Sequence, residues 1–201
     1  MLTAIVGINW GDEGKGRMVD LLSEEQDIIV RYQGGNNAGH TVMNDNGKFV
    51  LNLLPSGILR SDKVNVMGGG MVVDVEHLYK EVGRLRDAGV KITPDNLVIS
   101  DRAVICFPFN VMQDCLEEDR LGDRKFGSTR RGIAPIYADK YMKKAVRMGD
   151  LLDEKYLEQR LEEVLDWKNM CLSAYKGAKK YSVAEMKEWL AKYAAEFVPY
   201  I

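Results

Sequence analysis

A chain of 201 residues is long enough for one domain with a sizeable core, and 46% hydrophobic with 29% charged residues is typical of a globular protein, not a disordered one. The formal net charge of −2 argues against a protein that mainly coats nucleic acid or an anionic membrane. The apolar runs are all far shorter than the ~20 residues that a membrane-spanning helix needs.

The N-terminal residues and the cysteines indicate the compartment. Residues 1–7 have no basic start and are soon followed by Asp12 and Glu13, so they do not resemble a signal peptide. The three cysteines lie far apart and form no CxxC pair: Cys106, Cys115 and Cys171. We therefore predict a cytoplasmic protein without a disulfide framework or structural zinc, in which each cysteine is a small core residue.

Apolar runs and helical periodicities alternate in the first half of the chain. Asn46-Gly47 is a strong signal for a hairpin, the glycines at 68–70 are predicted to stop a strand, and Gly89 is predicted to close a helix. The predicted strands span 2–8, 27–32, 41–43, 49–53, 63–67, 97–100 and 103–106, and the predicted helices span 16–23 and 75–88.

Helical patterns dominate the second half of the chain. Ser182 and Glu185 form a capping box at the start of the last helix. The charged run 117–120 predicts a solvated face, and the apolar residues 196–201 resemble the approach to a further strand. The predicted helices span 110–120, 137–144, 154–167 and 183–195.

This order of elements predicts an α/β fold in which a mostly parallel sheet is followed by a helical subdomain. We divide the chain into an α/β part over residues 1–106 and a helical part over residues 107–201. Parallel sheets are usually covered by helices on both faces, and here few helices are available for that cover. We therefore expect the chain to be a truncated piece of a larger fold.

The first glycine-rich turn is Asn9-Trp10-Gly11-Asp12-Glu13-Gly14-Lys15-Gly16-Arg17, between the first predicted strand and helix. Glycines at a helix N-terminus let backbone N–H groups face a phosphate, and Lys15 has the reach to contact it. The P-loop pattern GxxxxGK[ST] is broken at Asn9 and at Gly16. Because the usual Mg²⁺-holding hydroxyl is missing, Asp12 is the candidate oxygen ligand. The alternative is an ordinary strand-to-helix turn with surface charges.

The second glycine-rich segment, residues 33–41, follows the second predicted strand and contains His40. Ligands of parallel sheets bind beyond the carboxyl ends of the strands, so the two glycine-rich segments are expected to face one substrate. A catalytic role for His40 and a structural one remain open at this point. His77, within a helical pattern, is interpreted as structural.

Four motifs in order carry a resemblance to a known family: NWGDEGKGR, RYQGGNNAGHT, LLPSGIL and GSTRRGIAP. With them the chain closely resembles the adenylosuccinate synthetases, from residue 3 to about residue 150 and more loosely beyond. Members of that family are longer, and this chain is similar to their N-terminal half. The resemblance implies a fold like that of P-loop nucleotide hydrolases, with residues 1–106 binding nucleotide and loop 127–135 binding the IMP phosphate.

The resemblance also implies roles for individual residues. Asp12 would be the general base and a Mg²⁺ ligand, His40 the general acid, and the Gly39 carbonyl a second Mg²⁺ ligand. The residues implied to contact GTP are Gly11, Asp12, Glu13, Gly14, Lys15, Gly16, Arg17, Gly39, His40 and Thr41. The residues implied to contact IMP are Asp12, Glu13, Gly14, Lys15, Asn37, Ala38, Gly39, His40, Thr129 and Lys143.

The activity implied by the resemblance is the GTP- and Mg²⁺-dependent ligation of IMP with L-aspartate to adenylosuccinate, GDP and phosphate, in AMP biosynthesis. A homodimer is implied, with neither a nucleic acid nor a membrane as partner. Family segments that contact guanine and aspartate have no counterpart within residues 1–201, so we expect the 201-residue chain to be inactive alone. The alternatives are a non-catalytic nucleotide- or phosphate-binding fragment and a purely structural or dimerising one.

The motifs depart from the family pattern at a few positions. Arg130 and Ala134 replace glycines, which limits backbone freedom in the loop. Lys143 stands where the family has an arginine that reaches the IMP phosphate of the neighbouring subunit, and lysine lacks the bidentate guanidinium. Arg147 is near enough in sequence to share that task, and the sequence does not decide between the two.

Overall fold

The computed structural model describes residues 2–8, 14–44 and 47–201. The strands are β1 (Ile28–Gly34), β2 (His40–Asn44), β3 (Gly47–Leu51), β4 (Val64–Val73), β5 (Leu97–Ile99) and β6 (Val104–Ile105). The helices are α1 (Lys15–Leu22), α2 (Val75–Asp87), α3 (Pro108–Leu121), α4 (Ile133–Tyr141), α5 (Glu154–Leu172) and α6 (Val183–Tyr193). Short 3₁₀ helices cover Ser23–Glu25, Ser56–Leu59, Gly122–Arg124, Met148–Leu152 and Ala195–Tyr200. Within the described ranges, every helix is too short or too polar to cross a membrane.

The sheet is built around β4, which has ten residues and pairs in parallel with β1, β5 and β6. β2 and β3 form a separate antiparallel ribbon, as the Asn-Gly signal predicts. Four helices then follow the last strand. The predicted α/β class, a mostly parallel sheet followed by helices, is therefore confirmed. The division into parts at residue 106 stays a prediction.

The glycines at 68–70 do not stop a strand, because β4 runs through them to Val73. Two of them lie against β1: a Cβ on Gly70 would lie 2.2 Å from the Tyr32 carbonyl oxygen, and one on Gly68 would lie 3.1 Å from the Arg31 carbonyl oxygen. The register of the two strands shifts between Arg31 and Gln33, at the same place. These glycines therefore permit a close backbone approach, and reading them as a terminator was wrong.

Residues 2–8 do not form the predicted buried strand. They have no regular secondary structure, and Leu2 and Ile8 are 93% and 90% exposed. A strand needs a neighbouring backbone to hydrogen-bond with, and none of the described strands pairs with this segment. An apolar run indicates that a segment tends to be buried, but it does not show whether a neighbouring strand is present to pair with it. The prediction failed for this reason.

The helical half agrees with the sequence patterns except at its ends. α4 begins four residues earlier than predicted, at Ile133, and α5 continues to Leu172. The capping box is present, with the Glu185 N–H donating to Ser182 Oγ at 3.2 Å. The terminal residues form a 3₁₀ helix with Phe197 buried, not the approach to a strand.

One hydrophobic core joins the sheet to the helices. It contains Leu53 after the ribbon, Leu78 of α2, Phe107 before α3 and Leu161 of α5, each almost fully buried. All three cysteine thiols are free. Cys106 is buried as predicted, whereas the other two are only half-buried.

Glu81 anchors the segment that follows β3. Its carboxylate, 1% exposed on α2, accepts the backbone N–H groups of Asn52 and Leu53, each at 2.9 Å, and of Leu54 at 3.2 Å. Burying a charge is costly unless hydrogen bonds compensate it, and three amides do so here. Because Pro55 and Ser56 come next, this carboxylate also determines where the LLPSGIL motif begins.

We predict that Glu81→Gln destabilises the fold by about 1–3 kcal/mol, because the amide group replaces one acceptor by a donor that faces backbone N–H groups. Urea unfolding followed by circular dichroism measures the change. The matched control is Glu162→Gln, at an exposed position of α5, whose midpoint should stay close to that of the unaltered chain. Equal midpoints for both variants would show that the three hydrogen bonds contribute nothing.

Candidate functional site

The first glycine-rich motif leads into α1. Gly11, Asp12 and Glu13 lie outside the described residues. Gly14 adopts a left-handed backbone with φ of +78°, and its carbonyl accepts the N–H of Arg17 at 3.1 Å. α1 begins at Lys15, and the start of a helix presents backbone N–H donors and positive potential to an anion.

His40 lies directly against this helix start. A Cβ built on Gly16 would be 2.9 Å from His40 Cβ, 3.0 Å from Cγ and 3.3 Å from Cδ2. Only a glycine leaves room for the imidazole at this distance. The structure therefore brings the described end of the first motif and the end of the second motif into contact.

The imidazole of His40 is held neutral by its surroundings. Its Nε2 lies 2.9 Å from the hydroxyl oxygen of Ser56. Burial lowers the pKa of His40, and the positive charge of Arg31 lowers it further, against a smaller opposing effect of Asp20. At neutral pH the neutral form of the ring therefore predominates, with one N–H donor and one lone pair.

Arg31 and Asn52 tie the second glycine-rich segment to the ribbon. The Arg31 guanidinium donates to the carbonyls of Asn52 and, at 2.8 Å, of Gly35. The Asn52 amide donates to the Ala38 carbonyl at 3.3 Å, and its oxygen lies 3.1 Å from Nε2 of His77. The interpretation of His77 as structural stays a prediction. Within the segment, Asn37, Ala38 and Gly39 remain exposed.

The start of α4 packs on the same segment. The Tyr137 hydroxyl accepts the Gly34 N–H at 2.8 Å and donates to the Gly70 carbonyl at 3.0 Å. A Cβ on Gly35 would lie 2.6 Å from Ile133 Cδ1. Three of the sequence motifs are thus neighbours: the start of α1, the segment before β2 and the loop that leads into α4.

Two buried carboxylates of α3 hold the loop 127–132, and the sequence reading missed both. Asp114, 5% exposed, accepts the Ser128 hydroxyl at 2.6 Å and the Gly132 N–H at 2.9 Å. Glu118, 4% exposed, accepts the N–H groups of Phe126 and Gly127, both at 3.2 Å. The run 117–120 is therefore not wholly a solvated face. The spacing of four residues between Asp114 and Glu118 is the one signal that they share a helix face.

The departures from the family pattern have a visible effect at Arg130. This residue has φ of +56°, the left-handed region that glycine adopts without cost. Its N–H donates to Ser128 Oγ at 3.1 Å, and its guanidinium pairs with Asp119 at 2.6 Å. Arginine therefore keeps the backbone conformation that suits glycine. Thr129, the candidate contact to the IMP phosphate, is exposed beside it.

Lys143 and Arg147 both lie at the surface. Lys143 also has a left-handed backbone, with φ of +60°, and its carbonyl accepts a hydrogen bond from Arg160 at 2.5 Å. Arg147 follows within a turn, with its N–H bonded to Asp150 at 2.8 Å. The geometry leaves both side chains accessible and does not choose between them.

The candidate magnesium ligands are a carboxylate and a backbone carbonyl. Asp12 lies outside the described residues, and Gly39 is exposed. Within residues 2–8, 14–44 and 47–201, no group of three histidine, cysteine or acidic side chains is placed to hold a metal ion. Mg²⁺ prefers oxygen ligands and usually keeps several from phosphates and water, so two oxygen ligands from the protein fit this ion.

Comparisons with known proteins agree over the whole chain. A model of the adenylosuccinate synthetase family matches residues 4–201. The adenylosuccinate synthetase of Caldanaerobacter subterraneus subsp. tengcongensis is 44% identical over 200 residues, covering 100% of this chain and 47% of that protein. Adenylosuccinate synthetase 2 of Pseudoalteromonas translucida is 46% identical over 199 residues, covering 98% and 47%.

A solved structure is similar as well. Fully ligated adenylosuccinate synthetase from Plasmodium falciparum superposes with a TM-score of 0.79 at 31% identity, covering 97% of this chain and 45% of that one. The chain spans about half the length of the curated relatives it matches.

We predict that Gly16→Ala displaces His40, because the new Cβ would meet His40 Cβ, an atom fixed to the backbone of β2. Overpacking of this kind costs about 1–3 kcal/mol. The matched control is Gly83→Ala in α2, where a Cβ has nothing within 4 Å and the higher helix propensity of alanine should slightly stabilise the chain. NMR signals of the His40 ring and urea unfolding give the two measurements. A Gly16→Ala variant with unshifted ring signals contradicts the contact.

We predict that Asp114→Asn loosens the loop 127–132, since the Ser128 hydroxyl and the Gly132 N–H donate to different carboxylate oxygens and an amide replaces one of these oxygens by an NH₂ donor. Hydrogen exchange of the buried Gly132 amide should accelerate about tenfold or more, corresponding to the loss of about 1–3 kcal/mol of local stability. Asp119→Asn on the same helix removes only the exposed pair with Arg130 and should leave that exchange rate nearly unchanged. Equal rates in both variants would contradict the anchoring role.

Proposed function

Because the chain belongs to the adenylosuccinate synthetase family, we propose that it carries the GTP-phosphate and IMP contacts of a ligase that joins IMP with L-aspartate. The reaction consumes GTP and yields adenylosuccinate, GDP and phosphate. The observation that supports it most directly is the contact between Gly16 and His40, which combines a glycine-rich helix start with an imidazole.

The start of α1 is the proposed site for the GTP phosphates. The helix dipole favours an anion at this end, and Lys15 adds a positive charge there. We propose the same role for Gly11, Asp12 and Glu13, which lie outside the described residues. Arg17 and Thr41 are both exposed and belong to the proposed set.

The proposed chemistry begins at the purine. Asp12 takes the proton from N1 of IMP, which makes O6 a nucleophile. O6 then attacks the γ-phosphorus of GTP, the bond to GDP breaks, and 6-phosphoryl-IMP forms. The aspartate amine next attacks C6 and phosphate leaves. The N–H of neutral His40 donates to an oxygen of the transferred phosphoryl group, where negative charge accumulates.

Mg²⁺, when bound, offsets the repulsion between the phosphate charges and the attacking oxygen. We propose the Asp12 carboxylate and the Gly39 carbonyl as its protein ligands. The proposed partner of the IMP phosphate is Thr129, and Asn37 is a proposed contact to IMP; both residues are exposed. In the proposed homodimer, Lys143 or Arg147 reaches the IMP phosphate of the neighbouring subunit. We also propose a cytoplasmic location.

The 201-residue chain by itself is proposed to bind nucleotide without turnover. The binding residues described above lie within it, whereas the resemblance assigns the guanine and aspartate contacts to segments that it does not contain. A non-catalytic nucleotide-binding fragment is therefore the second candidate function. It shares the phosphate site and differs in lacking turnover.

We predict that Lys15→Met weakens binding of a non-hydrolysable GTP analogue by about tenfold or more, as expected for the loss of one charge-assisted contact to phosphate. Isothermal titration calorimetry with Mg²⁺ measures the affinity, and chelation of Mg²⁺ should weaken it in the unaltered chain. Lys155→Met, at an exposed position of α5, is the control and should bind as the unaltered chain does.

Two results would contradict the proposal in different ways. If the unaltered chain binds neither the GTP analogue nor IMP, the proposed phosphate site is refuted. A chain that forms adenylosuccinate from IMP, GTP and L-aspartate keeps the site and refutes the proposed inactivity of the 201 residues alone.

A further inference from the structure

The hydroxyl of Ser56 is the only partner of the His40 ring nitrogens among the hydrogen bonds of the described residues. Ser56 is 3% exposed and begins the 3₁₀ helix Ser56–Leu59 directly after Pro55. The N–H of Ile58 donates to the Pro55 carbonyl at 3.1 Å and closes that turn. Glu81 holds the residues just before Pro55 by hydrogen bonds. These bonds and the turn together determine the position of the Ser56 hydroxyl.

The contact of 2.9 Å between Ser56 Oγ and His40 Nε2 allows two arrangements. In one, Nε2 carries the hydrogen and donates to the hydroxyl oxygen. In the other, the hydroxyl donates to the lone pair of Nε2, and the ring hydrogen is on Nδ1. Each arrangement satisfies the ring nitrogen, so the choice depends on the hydroxyl hydrogen.

The hydroxyl hydrogen needs an acceptor because Ser56 is buried. Within the described ranges, no acceptor other than His40 Nε2 lies at hydrogen-bond distance from this hydroxyl. If Nε2 carried the hydrogen, the buried O–H would remain unsatisfied, which is costly. The arrangement in which the O–H donates to Nε2 leaves no buried donor unpaired.

We propose that Ser56 is a positioning residue that holds neutral His40 in the Nδ1–H tautomer. The ring edge with Cδ2 lies against Gly16, so Nδ1 is on the edge away from that contact. Nδ1 then becomes the donor that His40 offers to an anion. The use of this donor toward a phosphoryl oxygen rests on the proposed function, whereas the tautomer itself does not.

His77, the other histidine of the chain, provides an internal contrast. Its Nε2 lies 3.1 Å from the side-chain oxygen of Asn52, whose amide nitrogen donates to the Ala38 carbonyl. An amide oxygen only accepts, so His77 must carry its hydrogen on Nε2. The two imidazoles are therefore expected to be opposite tautomers, although the Nε2–H form predominates in free neutral histidine.

Long-range ¹H–¹⁵N NMR of the ¹⁵N-labelled chain distinguishes the tautomers, because a protonated and an unprotonated ring nitrogen resonate far apart. The spectrum is recorded in alkaline buffer, where both rings are neutral, and His77→Gln assigns the two sets of signals. We expect Nδ1–H for His40 and Nε2–H for His77. Nε2–H as the main form of His40 in the unaltered chain overturns the proposal, with no variant required.

Ser56→Ala tests the cause of the tautomer. Without the hydroxyl, His40 should shift toward the Nε2–H form while the His77 signals keep their positions, which also reports that the fold is intact. A His40 that stays Nδ1–H in this variant overturns the role of Ser56. If the tautomers are as expected but the chain binds no GTP analogue, the proposed function fails and the tautomer assignment remains.

Discussion

The carboxylate of Glu81 is the constraint on which the arrangement of the site depends. It collects three consecutive backbone amides at the end of β3, deep in the core, and so determines where the chain turns away from the ribbon. The carbonyl and side chain of Asn52, in that turn, meet Arg31 and Ala38 of the glycine-rich segment. Ser56, a few residues on, meets His40. One buried charge thus organises two segments that are distant from it in sequence.

The same principle operates on the other side of the site. Asp114 and Glu118 of α3 face a loop that is proposed to bind a phosphate, although carboxylates repel phosphates. Both carboxylates are buried, and their oxygens accept hydrogen bonds from donors of the loop itself. These hydrogen bonds compensate the cost of burying the negative charges. The exposed Thr129 therefore lies on a loop that α3 holds by hydrogen bonds to Asp114 and Glu118. Buried acidic groups here give shape to the proposed anion site, and their oxygens are occupied by donors of the loop.

Much of this arrangement could be predicted from the sequence, because local patterns encode it. The helices and the hairpin at Asn46-Gly47 follow from periodicity and turn residues. The glycine-rich segments were expected to meet because both were predicted to follow strands of one parallel sheet; Gly16 does meet His40, although residues 2–8 form no strand. The errors concern non-local facts. Gly70 looks like a terminator until the carbonyl of Tyr32 is placed 2.2 Å from its missing Cβ, and Glu118 looks solvated until the loop folds over it. Residues 2–8 look buried because apolarity does not reveal whether a neighbouring strand is present.

His40 brings these themes together. Burial opposes a positive charge on the ring and the positive charge of Arg31 opposes it further, so the pKa of His40 is lowered. An imidazole that stays neutral cannot attract an anion by charge and can contribute only a directed N–H. Its usefulness then depends on which nitrogen bears the hydrogen. In the proposed phosphate site, the helix start and Lys15 supply the attraction and the imidazole supplies direction, which is a reason for a buried hydroxyl to occupy its other nitrogen.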